Sequence, residues 1–554
     1  MSTDERQDEA VDGASEATPP RRWDLRMSPG RFAIWACVLV GVYGYGLTRD
    51  LNESWRGIHD WNGAFFSQLA RNFLRYPWTV HHGMPIVAAG AAIPGPEDSS
   101  IYATHPPALV WLVAAVFRVF GEGEWVARLV PIVFSLGTFG LLLWLLMRAY
   151  GCRLAAIAGL FYAVMPMSVY FGRMVDHEAI CLFCMMAAAV GWTLTNQTGR
   201  RRWLGHAIII ASVWLGVWVD WSVVIFVGLL GAWAALGAIR KRGPWSDCLV
   251  ISIGGLLAIA SMLSFIVYAG LGGRWGDLID IFISRAAEHE DIKGAGSAGE
   301  VWRYVVDNIS GLLIALAVVG WAVTIIRWRR QPSGAGDLDA TKARSGLNIV
   351  ALTGLLWLVV FWRQFERHEY WMFYLGPVIA TFGAIAIATL VDIAWRARAT
   401  ASVVALAALI PASALIEAHF RNLMFEAPHQ VHWMKLEDWA AIGRMTAPTD
   451  VVAVYDNPFR VERRGGYEFR NIVPPHLAWY MDRRLRVVTD VAGLPASAAG
   501  CAVFAMDALE AESVRDQLDP VIESLGFTNL HRWLVVDLRA PSRPGAGASP
   551  EVLD

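Results

Sequence analysis

Asp60 lies in the run Trp55-Arg56-Gly57-Ile58-His59-Asp60-Trp61-Asn62. A positioned carboxylate of this kind can take a proton from an attacking hydroxyl or amine. The plainer alternative is a helix cap, a task Asp does well. The following residues fit either reading, because Ala64, Leu69, Ala70, Phe73 and Leu74 recur at roughly helical spacing. Arg71 and Arg75 share another face, one turn apart.

A second cluster reads Arg173-Met174-Val175-Asp176-His177-Glu178, a short turn between two apolar stretches. Charge at a membrane boundary is costly and tends to be functional. Asp176 and Glu178, spaced D-x-E, also offer oxygen ligands to a divalent cation. The structural alternative is a helix cap followed by a solvated loop.

Three further clusters contain His or Arg. Tyr102-Ala103-Thr104-His105-Pro106-Pro107 ends in a Pro-Pro pair compatible with a helix start. Ser284–Glu290 contains Arg285 and His289, and Arg363–Tyr370 contains Arg367 and His368. Guanidinium groups bind phosphate bidentately, so these Arg point to a buried anion, with surface solvation as the alternative. Glu124 and Arg128, spaced i,i+4, read as a structural ion pair.

The elements that must hold these clusters are apolar. The chain has 554 residues, 55% hydrophobic and only 17% charged, against about a quarter charged in soluble domains. Its 27 Trp suit membrane interfaces, and a net charge of −2 leaves no footprint for nucleic acid. Twelve apolar stretches are present: 32–48, 106–120, 125–147, 154–172, 179–195, 203–219, 221–239, 248–271, 305–326, 347–362, 371–395 and 399–416. Spanning a bilayer takes about 20 apolar residues. The 106–120 stretch is short, opens on Pro106-Pro107 and carries Arg118.

Loop charge decides its placement. Arg21, Arg22, Arg26 and Arg31 put the N-terminus in the cytoplasm. If 106–120 does not span, the loops with Arg148/Arg153, Arg200–Arg202, Arg240–Arg242, Arg327–Arg330 and Arg396/Arg398 are all cytoplasmic too. If it spans, all five move outside. The expectation is therefore an all-α polytopic protein of the inner (plasma) membrane. It has eleven transmembrane helices, a long first outer loop and a juxtamembrane helix at 106–120.

Residues 1–27 are expected to be disordered and cytoplasmic, 28–419 to form the membrane domain, 420–540 an extracytoplasmic α/β domain, and 541–554 a disordered tail. In the third of these, strands at Val451–Tyr455, Leu485–Thr489, Ala502–Ala505 and Leu534–Leu538 alternate with helices near Leu477–Asp482 and Ala508–Leu518. The 331–345 connector reads as flexible. No cleavable signal peptide is expected, because a polar stretch precedes the first apolar run and no small-residue cleavage site follows it. Cys181 and Cys184 are spaced CxxC inside an apolar run without further zinc ligands, and read as buried thiols.

In this order the pieces resemble the fold-C class of membrane glycosyltransferases, within it the bacterial branch related to protein O-mannosyltransferases and lipid A aminoarabinose transferases. The resemblance covers roughly residues 32–395. It rests on Asp60, His105-Pro106-Pro107, the Glu124…Arg128-Leu129…Pro131 run, Arg173…Asp176, and Arg367-His368…Tyr370…Pro377. It implies Asp60 as catalytic base, with Asp176, and Glu178 close by, as the second acidic group. His105, Arg173, Arg285, His289, Arg367 and His368 would bind the donor phosphate or substrate. The donor would be a polyprenyl-phosphate-linked sugar taken from among the membrane lipids, and the acceptor a glycan, lipid or protein. No cofactor is implied by the mannosyltransferase-like branch. The alternative is a divalent cation on Asp60, Asp176 and Glu178, as in the oligosaccharyltransferases. The chain departs from several relatives at Val219-Asp220-Trp221, where they carry a Lys. Two other functions fit the spans: a lipid or polysaccharide flippase, and an assembly protein without catalysis. The lack of an internal repeat and the gathering of polar clusters at one face weigh against transport.

Overall fold

The computed structural model describes residues 27–55, 59–94, 100–271, 298–330, 338–362 and 368–396. It also describes 409, 412–413, 417, 436–455, 463–464, 467–468, 475–488, 498–507, 528–530 and 533–539. Residues 1–26 and 541–554, most of the 399–416 stretch, and the helix expected near Ala508–Leu518 lie outside the described residues.

The protein is an integral membrane protein made mostly of helices. Among the described residues, seven helices are long and apolar enough to cross a bilayer: Pro29–Thr48, Glu124–Tyr150, Arg200–Val219, Ser222–Ile239, Trp245–Gly270, Leu338–Val360 and Glu369–Ala394. Two expected spans are broken. Over 154–172, Cys152–Val164 and Pro166–Arg173 meet at 67°. Met165 precedes Pro166, which excludes helical backbone there, and Met165 is extended at φ −62°, ψ 129°. Over 305–326 the bend is 95°, between Trp302–Ile309 and Gly311–Ile326. Ser310 at the corner has φ 97°, a value no helix accommodates. Counting each bent pair as one span gives nine. Glu178–Leu194 is apolar and buried, and its 17 residues, rising about 26 Å, connect the Glu178 end of the bundle to the Asn196 end.

The 106–120 segment forms a 13-residue helix, Ala108–Phe120, about 20 Å long and too short to span. Pro107 opens it and Gly121, at φ 85°, closes it. It packs against the amphipathic helix Asp60–Arg75 of the first loop. The latter ends where Tyr76, preceding Pro77, turns extended. The connector read as flexible up to residue 345 is corrected in part: helix begins at Leu338.

Polar side chains gather at both ends of the bundle. Helix Arg200–Val219 shows this, since Arg202 and His206 lie in its opening turns and Asp220 closes it about 21–27 Å away. At the first end, Asp247 is buried and accepts from Arg202 Nη2 at 2.5 Å and Lys342 Nζ at 3.2 Å, with His206 Nε2 at 3.0 Å. Asn196 and Gln197 each donate to Asp339 at 2.7 Å, and Arg153 meets Asp392 at 2.9 Å. The connectors holding Arg153 and Arg202 thus share one end of the bundle. At the other end the long first loop, the 173–178 turn, Asp220 and the Glu369 segment converge.

The C-terminal part has a five-stranded sheet in the order Arg484–Val488, Val451–Tyr455, Val503–Asp507, Trp533–Asp537, Thr528–Leu530. The first three strands are parallel and the last two antiparallel. Alternating residues face opposite layers: Val452 and Val454 pack with Trp439 and Ile442, whereas Ala453 packs with Phe504 and Val488. The helix Leu436–Met445, the strand Thr528–Leu530 and a short hairpin at 463–468 add to the expected elements.

Breaking the Asp247 cluster leaves several cations without their anion. Asp247→Asn is expected to lower stability by about 1.5–3 kcal/mol, read as a lower Tm of the detergent-solubilised protein.

Candidate active site

Asp60 does not cap its helix. The N-cap is His59, in the left-handed region at φ 60° and without a side-chain cap bond, and Asp60 is the first helical residue. This corrects the capping alternative and leaves the Asp60 carboxylate for other work. It faces the Arg128 guanidinium at 3.7 Å. Arg128 is buried and held from several directions: it donates to the carbonyls of Leu51 (3.0 Å) and Glu53, and lies 4.2 Å above the Trp55 ring. The expected Glu124–Arg128 pairing is replaced. Arg128 turns into the first loop, and Glu124 Oε1 accepts from Trp479 Nε1 at 3.2 Å.

Asp176 is tied to the same helix. Its Oδ2 accepts from Asn62 Nδ2 at 2.6 Å, while its Oδ1 accepts from the His177 backbone at 2.8 Å and lies 2.7 Å from His177 Nδ1. Asn62 sits in the first turn that Asp60 begins, so its bond ties Asp176 to the start of the Asp60 helix. Glu178 opens the next helix, is buried, and has an Oε2 without a hydrogen-bond partner. Among the described residues, no three His, Cys, Asp or Glu side chains meet in a group that could hold a metal, so Asp60, Asp176 and Glu178 do not assemble as one.

The two acidic groups differ in access. The Asp60 side chain is 17% exposed and that of Asp176 is 6%. Asp60 is therefore the carboxylate that an incoming group can reach, and Asp176 is the one locked by neighbours.

His105 meets Asp220, Nδ1 to Oδ1, at 2.8 Å. Ser222 donates its backbone N–H to Asp220 Oδ2 at 3.2 Å. Burial pushes the Asp220 carboxyl up, but the His105 hydrogen bond and charge, with His177 and Ser222, hold it well below the usual carboxylate range. The His105 and His177 rings stack at 4.3 Å, so two carboxylate-bound imidazoles lie face to face beside the Asp60 helix. The charge reversal at Asp220, a departure from the resembling family, is thus answered by a basic partner from the His-Pro-Pro turn.

Arg173 is buried, donates to the Arg49 carbonyl and lies 5.7 Å from the Tyr170 ring centre. His368 Nδ1 lies 2.5 Å from the Tyr370 hydroxyl, and its ring stacks on Trp371 at 4.5 Å. The next residue, Glu369, reaches His59 Nε2 at 3.0 Å. This pair is close but not aligned as a hydrogen bond, since His59 Nε2 has no bonded partner. Arg285, His289 and Arg367 lie outside the described residues.

Sequence reasoning missed Asn62, Arg128, His177, Asp220 and the His59–Glu369 pair as parts of this site. His177 and Asp220 carried a signal, each being polar at the end of an apolar stretch. Asn62 carried none.

A family model for dolichyl-phosphate-mannose-protein mannosyltransferase matches residues 104–268, less than half of the chain. No match is found among curated protein sequences. The fold is similar to that of ArnT from Cupriavidus metallidurans in the apo state, with TM-score 0.58, 13% identity, and 92% of this chain and 97% of that one covered. ArnT from the same organism bound to undecaprenyl phosphate gives 0.57, 14%, 92% and 98%. The oligosaccharyltransferase AglB from Archaeoglobus fulgidus, in complex with an inhibitory peptide and a dolichol-phosphate, gives 0.55, 13%, 89% and 73%. The chain has the fold of the fold-C membrane glycosyltransferases.

The depressed Asp220 carboxyl stabilises the fold above the ordinary carboxylate pKa of about 3.9, and this stabilisation is lost as pH falls below it. Asp220→Asn is expected to lower Tm at pH 7, and the gap from wild type to narrow as pH drops below about 4, in a pH series of thermal unfolding.

Proposed function

We propose that this protein is a membrane glycosyltransferase that moves a sugar from a polyprenyl-phosphate-linked donor to an acceptor, with Asp60 as general base and inversion at the anomeric carbon. The observation that carries the reading is the bond from Asn62, in the turn that Asp60 begins, to Asp176, which brings both segments to one end of a bundle whose fold matches ArnT over 92% of this chain. The undecaprenyl phosphate bound to ArnT and the dolichol-phosphate bound to AglB support a polyprenyl-phosphate donor here.

The acceptor hydroxyl or amine attacks the anomeric carbon while its proton passes to an Asp60 oxygen. The new bond forms as the bond from that carbon to the phosphate oxygen breaks, and polyprenyl phosphate leaves with the electron pair. A phosphate leaving group needs charge neutralisation more than protonation, which guanidinium groups supply. Among the described residues Arg173 is assigned to this task, and His105 and His368 are proposed to assist it. Arg285, His289 and Arg367 are proposed for the same task on sequence grounds. Arg128, 3.7 Å from Asp60, orients that carboxylate until the acceptor arrives.

Both Asp176 oxygens already accept hydrogen bonds from Asn62 and His177. The proposed mechanism therefore runs without a cation ligated by Asp176, and the role of Asp176 is to hold the Asn62 turn. By the positive-inside bias, the Asp247 end faces the cytoplasm and the Asp60 end the extracytoplasmic side of the inner membrane. Lipid-linked sugars are available on that side and nucleotide sugars are not.

Asp60→Asn is expected to cut transfer about 10²–10⁴-fold with donor binding retained, in membranes supplied with a labelled polyprenyl-phosphate sugar. Unchanged transfer at equal protein level removes Asp60 as the base. Arg173→Ala is expected to raise the donor KM about tenfold, since a charge-assisted hydrogen bond contributes about 1.5–3 kcal/mol; an unaltered donor KM removes Arg173 from the phosphate site.

A further inference from the structure

The C-terminal part rests on the Asp60 helix through one short element, Pro475–Met481. Arg71 and Arg75, which share a face of the Asp60 helix, both turn to it. Arg71 donates to the Trp479 carbonyl at 2.9 Å and lies 3.8 Å above the Trp479 ring. Arg75 binds Asp482 through two bonds of 2.8 Å each. A second line of contacts runs to the loop before Asp60. The Tyr480 hydroxyl accepts from the Trp55 backbone N–H at 2.8 Å. Trp479 Nε1 reaches Glu124, one turn ahead of Arg128 on the same helix.

Trp55 is the hinge of this arrangement. Its indole is fully buried and lies against Gly63, in the first turn of the Asp60 helix, so closely that a Cβ there would overlap the ring. Its other neighbour is the Arg128 guanidinium that faces Asp60. The Trp55 backbone is held by Tyr480. On the same short helix His476 is 4% exposed, and its Nδ1 is buried without a hydrogen-bond partner.

We infer that the C-terminal domain is a working part of the reaction centre: helix Pro475–Met481 clamps the loop through Trp55 and the first turn of the Asp60 helix. Among the described residues the helix acts on the base through Trp55 and Arg128, and through the bonds to Arg71 and Arg75. Its expected effect is on the geometry of proton transfer and not on donor capture. A misplacement of about 1 Å can cost roughly 10²-fold in rate.

This inference rests on the transferase reading, so the experiment separates the two. The full-length protein is compared with Asp482→Asn, Asp482→Glu and Tyr480→Phe by hydrogen–deuterium exchange of the peptides covering residues 51–63, and by transfer kinetics. Asp482→Asn is expected to speed exchange in 51–63, with Asp482→Glu restoring much of the protection. Tyr480→Phe, which removes the acceptor of the Trp55 backbone N–H, is expected to lower kcat about 10–100-fold with the donor KM within about threefold of wild type. Unchanged exchange in Asp482→Asn overturns the clamp, whether or not any variant transfers sugar. Unchanged kcat in Tyr480→Phe, with wild-type transfer measurable, overturns the part played in the reaction. Absence of transfer by the wild type refutes the transferase reading, while the exchange arm still decides the clamp.

Discussion

A guanidinium buried at the edge of a membrane has to satisfy five N–H donors, and Arg128 does so by drawing the first loop around itself. It takes carbonyls from Leu51 and Glu53, a ring face from Trp55 and a carboxylate from Asp60. These contacts fix where the Asp60 helix begins. From there the rest of the end follows: Asn62 reaches Asp176, His59 meets Glu369, and the face with Arg71 and Arg75 turns to the C-terminal helix. The cost of burying a charge is what makes this geometry unique, because any slip leaves a donor or Asp60 unpaired.

Carboxylates and imidazoles here are paired across segments distant in sequence, and this is how a membrane protein can keep ionisable groups away from water. Asp220 closes one helix and His105 precedes another, yet the two meet at 2.8 Å. Asp176 and His177 are neighbours in sequence and form a second such pair. Stacking of the two imidazoles joins the pairs into one block. A block of this kind resists rearrangement, which suits a site whose chemistry depends on placement.

Much of this was legible in the residues. The period and length of the apolar stretches gave the helices, and the short 106–120 stretch with its Pro-Pro opening was readable as a helix too short to span. The break at Met165 was readable from Pro166, although the stretch was taken as one span. The break at Ser310 was not, because nothing in the sequence forces a serine to φ 97°; the tertiary packing around it does. Asp60 and Asp176 stood out as charges at apolar boundaries. The bond from Asn62 to Asp176 did not, since an Asn in a polar loop has many bland uses. The C-terminal strands at 451–455, 484–488, 503–507 and 533–537 were visible from β-branched runs. Docking of Trp479 and Asp482 onto Arg71 and Arg75 was invisible, because it joins residues some four hundred positions apart.

The two ends of the bundle show different uses of charge. At the Asp247 end Asp247 and Asp339 each hold more than one base or amide, and these contacts tie connectors together. At the Asp60 end each carboxylate is matched to its own partners: Asp220 to His105, and Asp176 to His177 and Asn62. Buried polar atoms without hydrogen-bond partners occur at both ends, Glu178 Oε2 and Glu369 Oε2 at this one and His206 Nδ1 at the other. Such atoms are expensive, and their presence alone does not separate the ends. What separates them is the pattern of pairing: one acid gathering several cations ties segments together, whereas acids paired one by one hold each side chain in a set place.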